Sequence, residues 1–380
     1  MASKSYRLGT PVIDRDIEPW AQRFDMLDAW RGLAAVAVVL AHVAHWNIGG
    51  EAVMVFFVIS GYCILASSDS CLRHGLGFRS FMWRRIRRIY PPYLLAVLFF
   101  VATRIIKVVM GGQSQIDASP VVWLQNLTLT QWLTLLTHPV PVASQNPSNF
   151  VTAFWSLNYE EQFYLVMAIT MVCAAWLSRT WMVTVLMIIS LGWILTFRQR
   201  CHGFFIEYWF HFGVGCVVFY RLCCMESRLA RRVTDLGLCV GVLTFGYLAW
   251  ANRVTSPTMT GVFRELTAVC TFAIVLVLAR PLNDRFKASW VGWALMGLGT
   301  VSYSLYLIHQ FNLNLIHGMV RLAIPDRFPA LSIAAQVVGH IGLASIFWFF
   351  CERPFLNRSL DHATPASSSR SELVPVAADA

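Results

Sequence analysis

Long apolar segments occupy most of this 380-residue sequence and constrain its fold more than any other feature. A helix that crosses a bilayer needs roughly 20 mostly apolar residues. We predict about ten such spans, at 27–46, 52–68, 90–110, 154–177, 181–197, 204–222, 235–251, 262–280, 292–316 and 331–351. Only 13% of the residues are charged, against about a quarter in soluble domains. The sequence therefore predicts an all-α integral membrane protein.

Basic residues are concentrated in alternate loops between these spans. Six arginines follow the second span, whereas the loop at 111–153 contains no Lys or Arg. Because basic loops stay in the cytoplasm, we predict cytoplasmic termini and an outer loop at 111–153 that forms an interfacial lid. The chain then divides into a cytoplasmic segment at 1–26, a transmembrane domain at 27–356 and a disordered cytoplasmic tail at 357–380. The net charge of +10 reflects this topology, and no nucleic-acid partner is expected.

The first span carries two ionisable residues on one face. Arg31 and His42 are eleven residues apart, which at 100° per residue is about 20° from three full turns and about 16 Å along the axis. Asp28 and His45 flank the same stripe. A polar stripe in a span must face protein or a water-filled cavity, which favours a functional role. The alternative is that Asp28 and Arg31 anchor the helix end by reaching the membrane surface.

A cluster of four arginines precedes the third span: Arg84, Arg85, Arg87 and Arg88. One interpretation is a topology determinant that touches anionic lipid headgroups. The other is a docking site for an anionic ligand, because guanidinium groups pair with phosphate through two hydrogen bonds. In the preceding span, Ser60 and Gly61 indicate close packing against a neighbouring helix.

Two carboxylates and a histidine lie in the outer halves of later spans. Glu160 and Glu161 are about two turns into the fourth span, and His309 shares a face of the ninth with Tyr306. We therefore expect His42, Glu160 and His309 at one depth, an arrangement that suits a base held by an orienting acid. A structural salt bridge is the alternative for the carboxylates.

The remaining histidines and the cysteines indicate no further site. Three histidines belong to no such set and are interpreted as structural or interfacial groups: His211, His317 and His340. Most of the 10 Cys lie in apolar runs, and no CxxC pair occurs. We therefore predict neither a disulfide framework nor a metal site.

Five motifs follow one another along the spans: LDAWRGLAAVAVVLAH, FFVISGY, RRIRRIYPPYL, FWSLNYEEQFYL and SYSLYLIH. In this order, over roughly residues 24–356, they resemble the membrane acyltransferase-3 family. Members of that family are integral-membrane O-acyltransferases that modify extracytoplasmic glycans and, in some cases, antibiotics. Val53 and Met54 stand where the family often has Asp or Gly. The hydrolase-like domain that follows the membrane part in some members is expected to be absent.

The resemblance implies a role for several of these residues. Arg31 and His42 match an Arg-(ten residues)-His signature, with His42 as the catalytic residue. Arg85 and Arg88 match an arginine pair on the acyl-donor side. Glu160, which matches the acid of the Trp-Ser-Leu…Glu motif, is expected beside His42.

His309 matches the histidine of the Ser-Tyr…Tyr-Leu-His motif and completes the expected catalytic set. The resemblance also implies an acyl-CoA donor, commonly acetyl-CoA, and no permanently bound cofactor. We expect Arg84 and Arg87 to help hold the phosphates of this donor at the cytoplasmic face. The acceptor would be a hydroxyl of a glycan outside a bacterial inner membrane. The alternatives are a membrane transporter, a non-catalytic or acyl-carrier partner in a polysaccharide pathway, and O-acylation of an antibiotic or a lipo-oligosaccharide.

Overall fold

The computed structural model describes residues 24–112, 119–197, 201–325 and 327–356. Most of the predicted segment at 1–26 and all of the predicted tail at 357–380 lie outside these ranges. Within them the chain is helical, and the only β-type pairing is an isolated bridge between Val140 and Cys201. The predicted all-α fold is confirmed.

Thirteen α-helices are formed by the described residues. They are α1 (Met26–Val43), α2 (Gly49–Arg73), α3 (Phe78–Val109), α4 (Pro120–Thr128), α5 (Trp132–Thr137), α6 (Trp155–Cys173), α7 (Arg179–Phe197), α8 (Ile206–Cys223), α9 (Arg228–Asn252), α10 (Pro257–Ala279), α11 (Asn283–Lys287), α12 (Trp290–Ala323) and α13 (Pro329–Phe347). A π-helical turn (Trp348–Glu352) and a 3-10 turn (Arg353–Phe355) follow α13.

Eight of these helices are long and apolar enough to cross a membrane: α1, α2, α3, α7, α9, α10, α12 and α13. The predicted fourth and sixth spans correspond to α6 and α8, which are of spanning length but more polar. Their sequences include Glu160 and Glu161 in α6 and Glu207 in α8. The chain is a multi-helix membrane protein, and the count of ten spans stays a prediction.

Glycines bring two pairs of helices into close contact at the centre of the fold. On α1, a Cβ atom added to Gly32 would lie 2.6 Å from the backbone nitrogen of Gly299 on α12. On α2 and α8, Cβ atoms at Gly61 and Gly215 would overlap backbone carbonyl groups of the opposite helix. The close packing predicted at Gly61 is confirmed, and these crossings hold α1, α2, α8 and α12 together.

The two ends of the helix bundle differ in charge. The first, here called the basic end, contains the start of α1 and the end of α2. Ion pairs join Arg179 to Asp69 (3.8 Å) and Lys287 to Asp25 (3.3 Å) there. The opposite end, here called the histidine end, contains the end of α1 with His42.

The predicted lid at 111–153 contains α4 and α5, and the hydroxyl of Tyr93 on α3 joins it to the bundle by donating to the backbone carbonyl oxygen of Asn126 (2.6 Å). Further hydrogen bonds order the segment itself. The side-chain amide of Asn126 donates to the carbonyl oxygens of Val122 and Ser148 (2.8 and 2.6 Å). Its oxygen accepts from Gln131 and from the backbone of Phe150. An amide side chain has two donor hydrogens and two acceptor sites, so Asn126 uses its full capacity.

Candidate active site

Three cavities follow one another between the basic end and the histidine end. The basic-end cavity is lined by Asp28, Arg31, Arg85, Arg88 and Glu352, among others. The middle cavity shares the three arginines with it and adds Glu160. The histidine cavity contains His42 and shares Val53 and Tyr306 with the middle cavity. Because neighbouring cavities share lining residues, they lie next to one another in a series through the bundle.

Three arginines surround the junction of the basic-end and middle cavities. Arg31 forms an ion pair with Asp28, one helical turn away on α1 (3.3 Å). Arg85, only 8% exposed, donates a hydrogen bond to the carbonyl oxygen of Cys63 (3.2 Å). Arg88 lies one turn beyond Arg85 on α3 and lines the same cavities. Charges inside a membrane protein are costly, so three guanidinium groups at one place indicate a function that needs them.

The structure divides the four-arginine cluster into two pairs. Arg84 and Arg87 precede Arg85 and Arg88 by one position each and therefore point about 100° away around α3. They line a groove on the outside of the bundle together with Arg353, and this groove shares only Leu356 with the basic-end cavity. Of the five arginines expected to bind the donor, the cavities bring together Arg31, Arg85 and Arg88 only.

Glu160 lies in the middle cavity rather than in the cavity of His42. Its carboxylate accepts hydrogen bonds from the hydroxyls of Tyr164 (2.6 Å) and Ser60 (3.4 Å). It also interacts electrostatically with Arg31. The geometry therefore differs from the expected one, in which Glu160 holds the imidazole of His42.

The start of α6 explains this difference in depth. Trp155, the first residue of α6, already lines the histidine cavity beneath residues of the outer loop. Glu160 follows five residues later, about 7.5 Å further along the helix. The neighbouring Glu161 accepts a hydrogen bond from Tyr90 on α3, which joins α6 to α3.

His42 and His309 meet as expected, on α1 and α12. Their ring centroids are 5.2 Å apart. His42 is exposed to the histidine cavity, whereas His309 is completely buried. The Nδ1 atom of His309 lies 2.9 Å from the carbonyl oxygen of Tyr306. A carbonyl can only accept, so Nδ1 donates this hydrogen bond, and the buried Nε2 atom has no hydrogen-bond partner among the described residues.

His340 is a neighbour of this pair that sequence reasoning missed. It lies on α13, is 1% exposed, and interacts electrostatically with both His42 and His309. None of the five motifs contains His340, and only its position within a predicted span could have indicated a functional role for it. Within the described ranges, no group of three or more His, Cys, Asp or Glu residues could hold a metal ion.

Aromatic and amide side chains line the histidine cavity together with the carboxylate of Glu265. Trp46, which is 54% exposed, lies at its edge, and Trp155 and Tyr208 contribute further rings. Asn47 and Gln310 add hydrogen-bonding groups. The two ends of the cavity series therefore differ in chemistry, cationic at one end and aromatic and hydrogen-bonding at the other.

Comparison with protein families identifies the class of protein that this architecture belongs to. The family model Acyl_transf_3, described as an acyltransferase domain, matches residues 24–351. The chain therefore belongs to the acyltransferase-3 family and is a membrane acyltransferase, as its motifs predict.

Relatives of known name support this assignment. The chain is 28% identical over 323 residues to the exopolysaccharide production protein ExoZ of Rhizobium meliloti, covering 83% of this chain and 92% of that one. It is 24% identical over 357 residues to the peptidoglycan O-acetyltransferase OatA of Listeria monocytogenes and 24% over 350 residues to the O-acetyltransferase OatA of Staphylococcus aureus. These matches cover 86% of this chain but only 55% and 56% of the two O-acetyltransferases. No solved structure matches the chain.

Proposed function

We propose that this chain moves an acyl group, most simply acetyl, from cytoplasmic acyl-CoA to a hydroxyl group of an extracytoplasmic glycan. The observation that carries the proposal is the series of three cavities, with buried arginines at one end and His42 at the other. Relatives named for exopolysaccharide production and for O-acetylation of peptidoglycan point to the same class of acceptor.

The orientation of the protein follows from its charge. Because arginine-rich loops remain on the cytoplasmic side, the proposal has the basic end and both termini face the cytoplasm, with the protein in a bacterial inner membrane. Acyl-CoA enters at the basic end, where Arg31, Arg85 and Arg88 hold its phosphates. Asp28 and Glu352 line the same cavity, and their negative charges partly offset the positive charges of these arginines before the donor binds.

The acyl-bearing arm of the donor runs from the arginines through the middle cavity to His42. Arg31 and His42 are separated by about 16 Å along α1, which this extended arm must cover. The arm passes Glu160, Ser60 and Tyr306, which line the middle cavity. The thioester then reaches the histidine cavity, where the acceptor enters from the opposite side of the membrane.

His42 acts as the general base of the transfer. It removes the proton of the acceptor hydroxyl while the oxygen attacks the thioester carbonyl, and the C–S bond then breaks. The imidazolium returns the proton to the leaving thiolate, so the products are the O-acyl glycan and free CoA. Such a base contributes about a 10²–10⁴-fold share of the rate.

The side chains around His42 suit a sugar as the acceptor. Flat aromatic faces, such as those of Trp46 and Trp155, pack against the apolar faces of sugar rings. Asn47 and Gln310 can hydrogen-bond to ring hydroxyls and orient one of them towards His42.

Acetyl transfer by purified His42→Ala tests this proposal. The protein is reconstituted in vesicles with radiolabelled acetyl-CoA, and both transfer and release of CoA are measured. We expect at least a 100-fold loss of both activities. His317→Ala, an exposed histidine on α12, is the matched control and should retain them. Full activity of His42→Ala would overturn the assignment.

A further inference from the structure

The groove that contains Arg84 and Arg87 lies outside the cavities of the proposed reaction. A third arginine, Arg353, reaches it from the 3-10 turn that follows α13. The guanidinium of Arg353 lies 5.1 Å from the ring centroid of Phe349, which holds it at the edge of the groove. Three cationic groups from distant parts of the sequence therefore converge, and the described lining of the groove includes no Asp or Glu.

The groove opens on the outer surface of the bundle rather than towards its centre. Trp83 lines it and is 65% exposed, and Phe349 lines it and is 50% exposed. Phe350, next along the chain, is 70% exposed. The groove thus combines cations with exposed aromatic walls, and aromatic side chains are typical of places where a membrane protein meets the headgroup layer.

Helix α3 and the turns after α13, which line the groove, also line the basic-end cavity with their inward-facing side chains. On α3, Arg85 and Arg88 point inwards while Arg84 and Arg87 line the groove. In the turn after α13, Glu352 is buried and accepts a hydrogen bond from Ser304 (2.5 Å), while Arg353 is exposed. The π-helical turn at Trp348–Glu352 shifts the register of the helix immediately before Arg353, and such turns are frequent at functional sites.

We propose that this groove binds the phosphate headgroup of an anionic phospholipid. Arg84, Arg87 and Arg353 hold the phosphate, and the acyl chains extend along the exposed apolar side chains beside the groove. Guanidinium groups match phosphate geometry through paired hydrogen bonds, and anionic lipid strengthens their attraction to the membrane surface. The bound lipid would stabilise α3 and the turns after α13, which separate the groove from the basic-end cavity.

Native mass spectrometry with added phosphatidylglycerol tests the site. The triple variant Arg84→Gln, Arg87→Gln, Arg353→Gln removes the groove charges. A control triple variant removes the same charge from exposed arginines at the same end of the bundle: Arg228→Gln, Arg232→Gln and Arg285→Gln. Only the groove arginines converge so that their paired hydrogen bonds can hold one phosphate, whereas the control arginines are spread over α9 and α11. We therefore expect at least a tenfold weaker phosphatidylglycerol adduct in the groove variant and little change in the control. Phosphatidylcholine should show weak binding to all three proteins.

Binding of adenosine 3′,5′-diphosphate, measured on the same samples, distinguishes this site from a donor site. We expect nucleotide binding to be unchanged in the groove variant, which would also show that the variant is folded.

Equal loss of lipid adducts in both triple variants would mean non-specific attraction and would overturn the proposal. Loss of nucleotide binding with retained lipid would assign the groove to the donor instead. If the triple variant does not fold, Arg353→Gln alone should still weaken the adduct, and an unchanged adduct would overturn the proposal. None of these outcomes depends on acyl transfer.

Discussion

At the residue scale, we predict that the carboxylate of Glu160 weakens the binding of an anionic donor. Glu160 lines the middle cavity together with Arg31, Arg85 and Arg88. An anionic donor must compete with this carboxylate for the arginines, so removal of its charge should strengthen donor binding. We predict that Glu160→Gln binds adenosine 3′,5′-diphosphate roughly 5-fold more tightly by isothermal titration calorimetry.

Glu161→Gln provides the matched control because Glu161 hydrogen-bonds to Tyr90 and does not line this cavity. Its nucleotide affinity should equal that of the unmodified protein. Unchanged affinity in Glu160→Gln, with a large fall in kcat, would instead make Glu160 a partner of His42.

His309 can be tested with asparagine, which keeps its hydrogen bond to the backbone of Tyr306 and removes Nε2. The side-chain amide that His309→Asn introduces is placed to donate to the carbonyl oxygen of Tyr306, as Nδ1 of His309 does now. It lacks the Nε2 lone pair that we expect to orient His42. We predict that kcat falls about 10–100-fold while the KM for acetyl-CoA stays constant. Wild-type kcat in this variant would show that His309 only supports the backbone.

At the element scale, the crossing of α2 and α8 depends on glycine. A methyl group at Gly61 would overlap the carbonyl group of Phe212, and backbone atoms cannot rotate away as side chains do. We predict that Gly61→Ala destabilises the protein by about 1–3 kcal/mol and lowers its melting temperature in detergent. Gly237→Ala on α9, where the added atom meets open space, should leave the melting temperature unchanged or raise it. Equal melting temperatures for the two variants would contradict this account.

Helix periodicity predicts some elements of the site well and others poorly. The shared face of Arg31 and His42 depends only on the 100° rotation within α1, and both residues line the cavity series. The depth of Glu160 depends on how the outer loop covers the start of α6, which involves contacts between distant segments. The position of His340 beside His42 likewise depends on how α13 packs, and no local pattern in the sequence encodes that packing.

At the scale of the whole molecule, the proposed reaction requires a passage between two compartments. Val53 and Tyr306 line both the middle and the histidine cavities, so in the proposed reaction they form the junction through which the acyl group passes. The proposal has the donor bound on the arginine side of this junction and the acceptor on the other side. It therefore predicts that a change at the junction separates donor binding from acyl transfer.

Val53→Phe enlarges one side chain at that junction without altering any charge. We predict that acetyl transfer falls by at least about 100-fold because the acyl arm no longer reaches His42. Binding of adenosine 3′,5′-diphosphate should persist, since Arg31, Arg85 and Arg88 are unchanged. Val240→Phe on the exposed face of α9 makes the same substitution away from the cavities and should retain both activities. Transfer at the normal rate in Val53→Phe would mean that the acyl group takes another route, and the three cavities would then not form the path of the reaction.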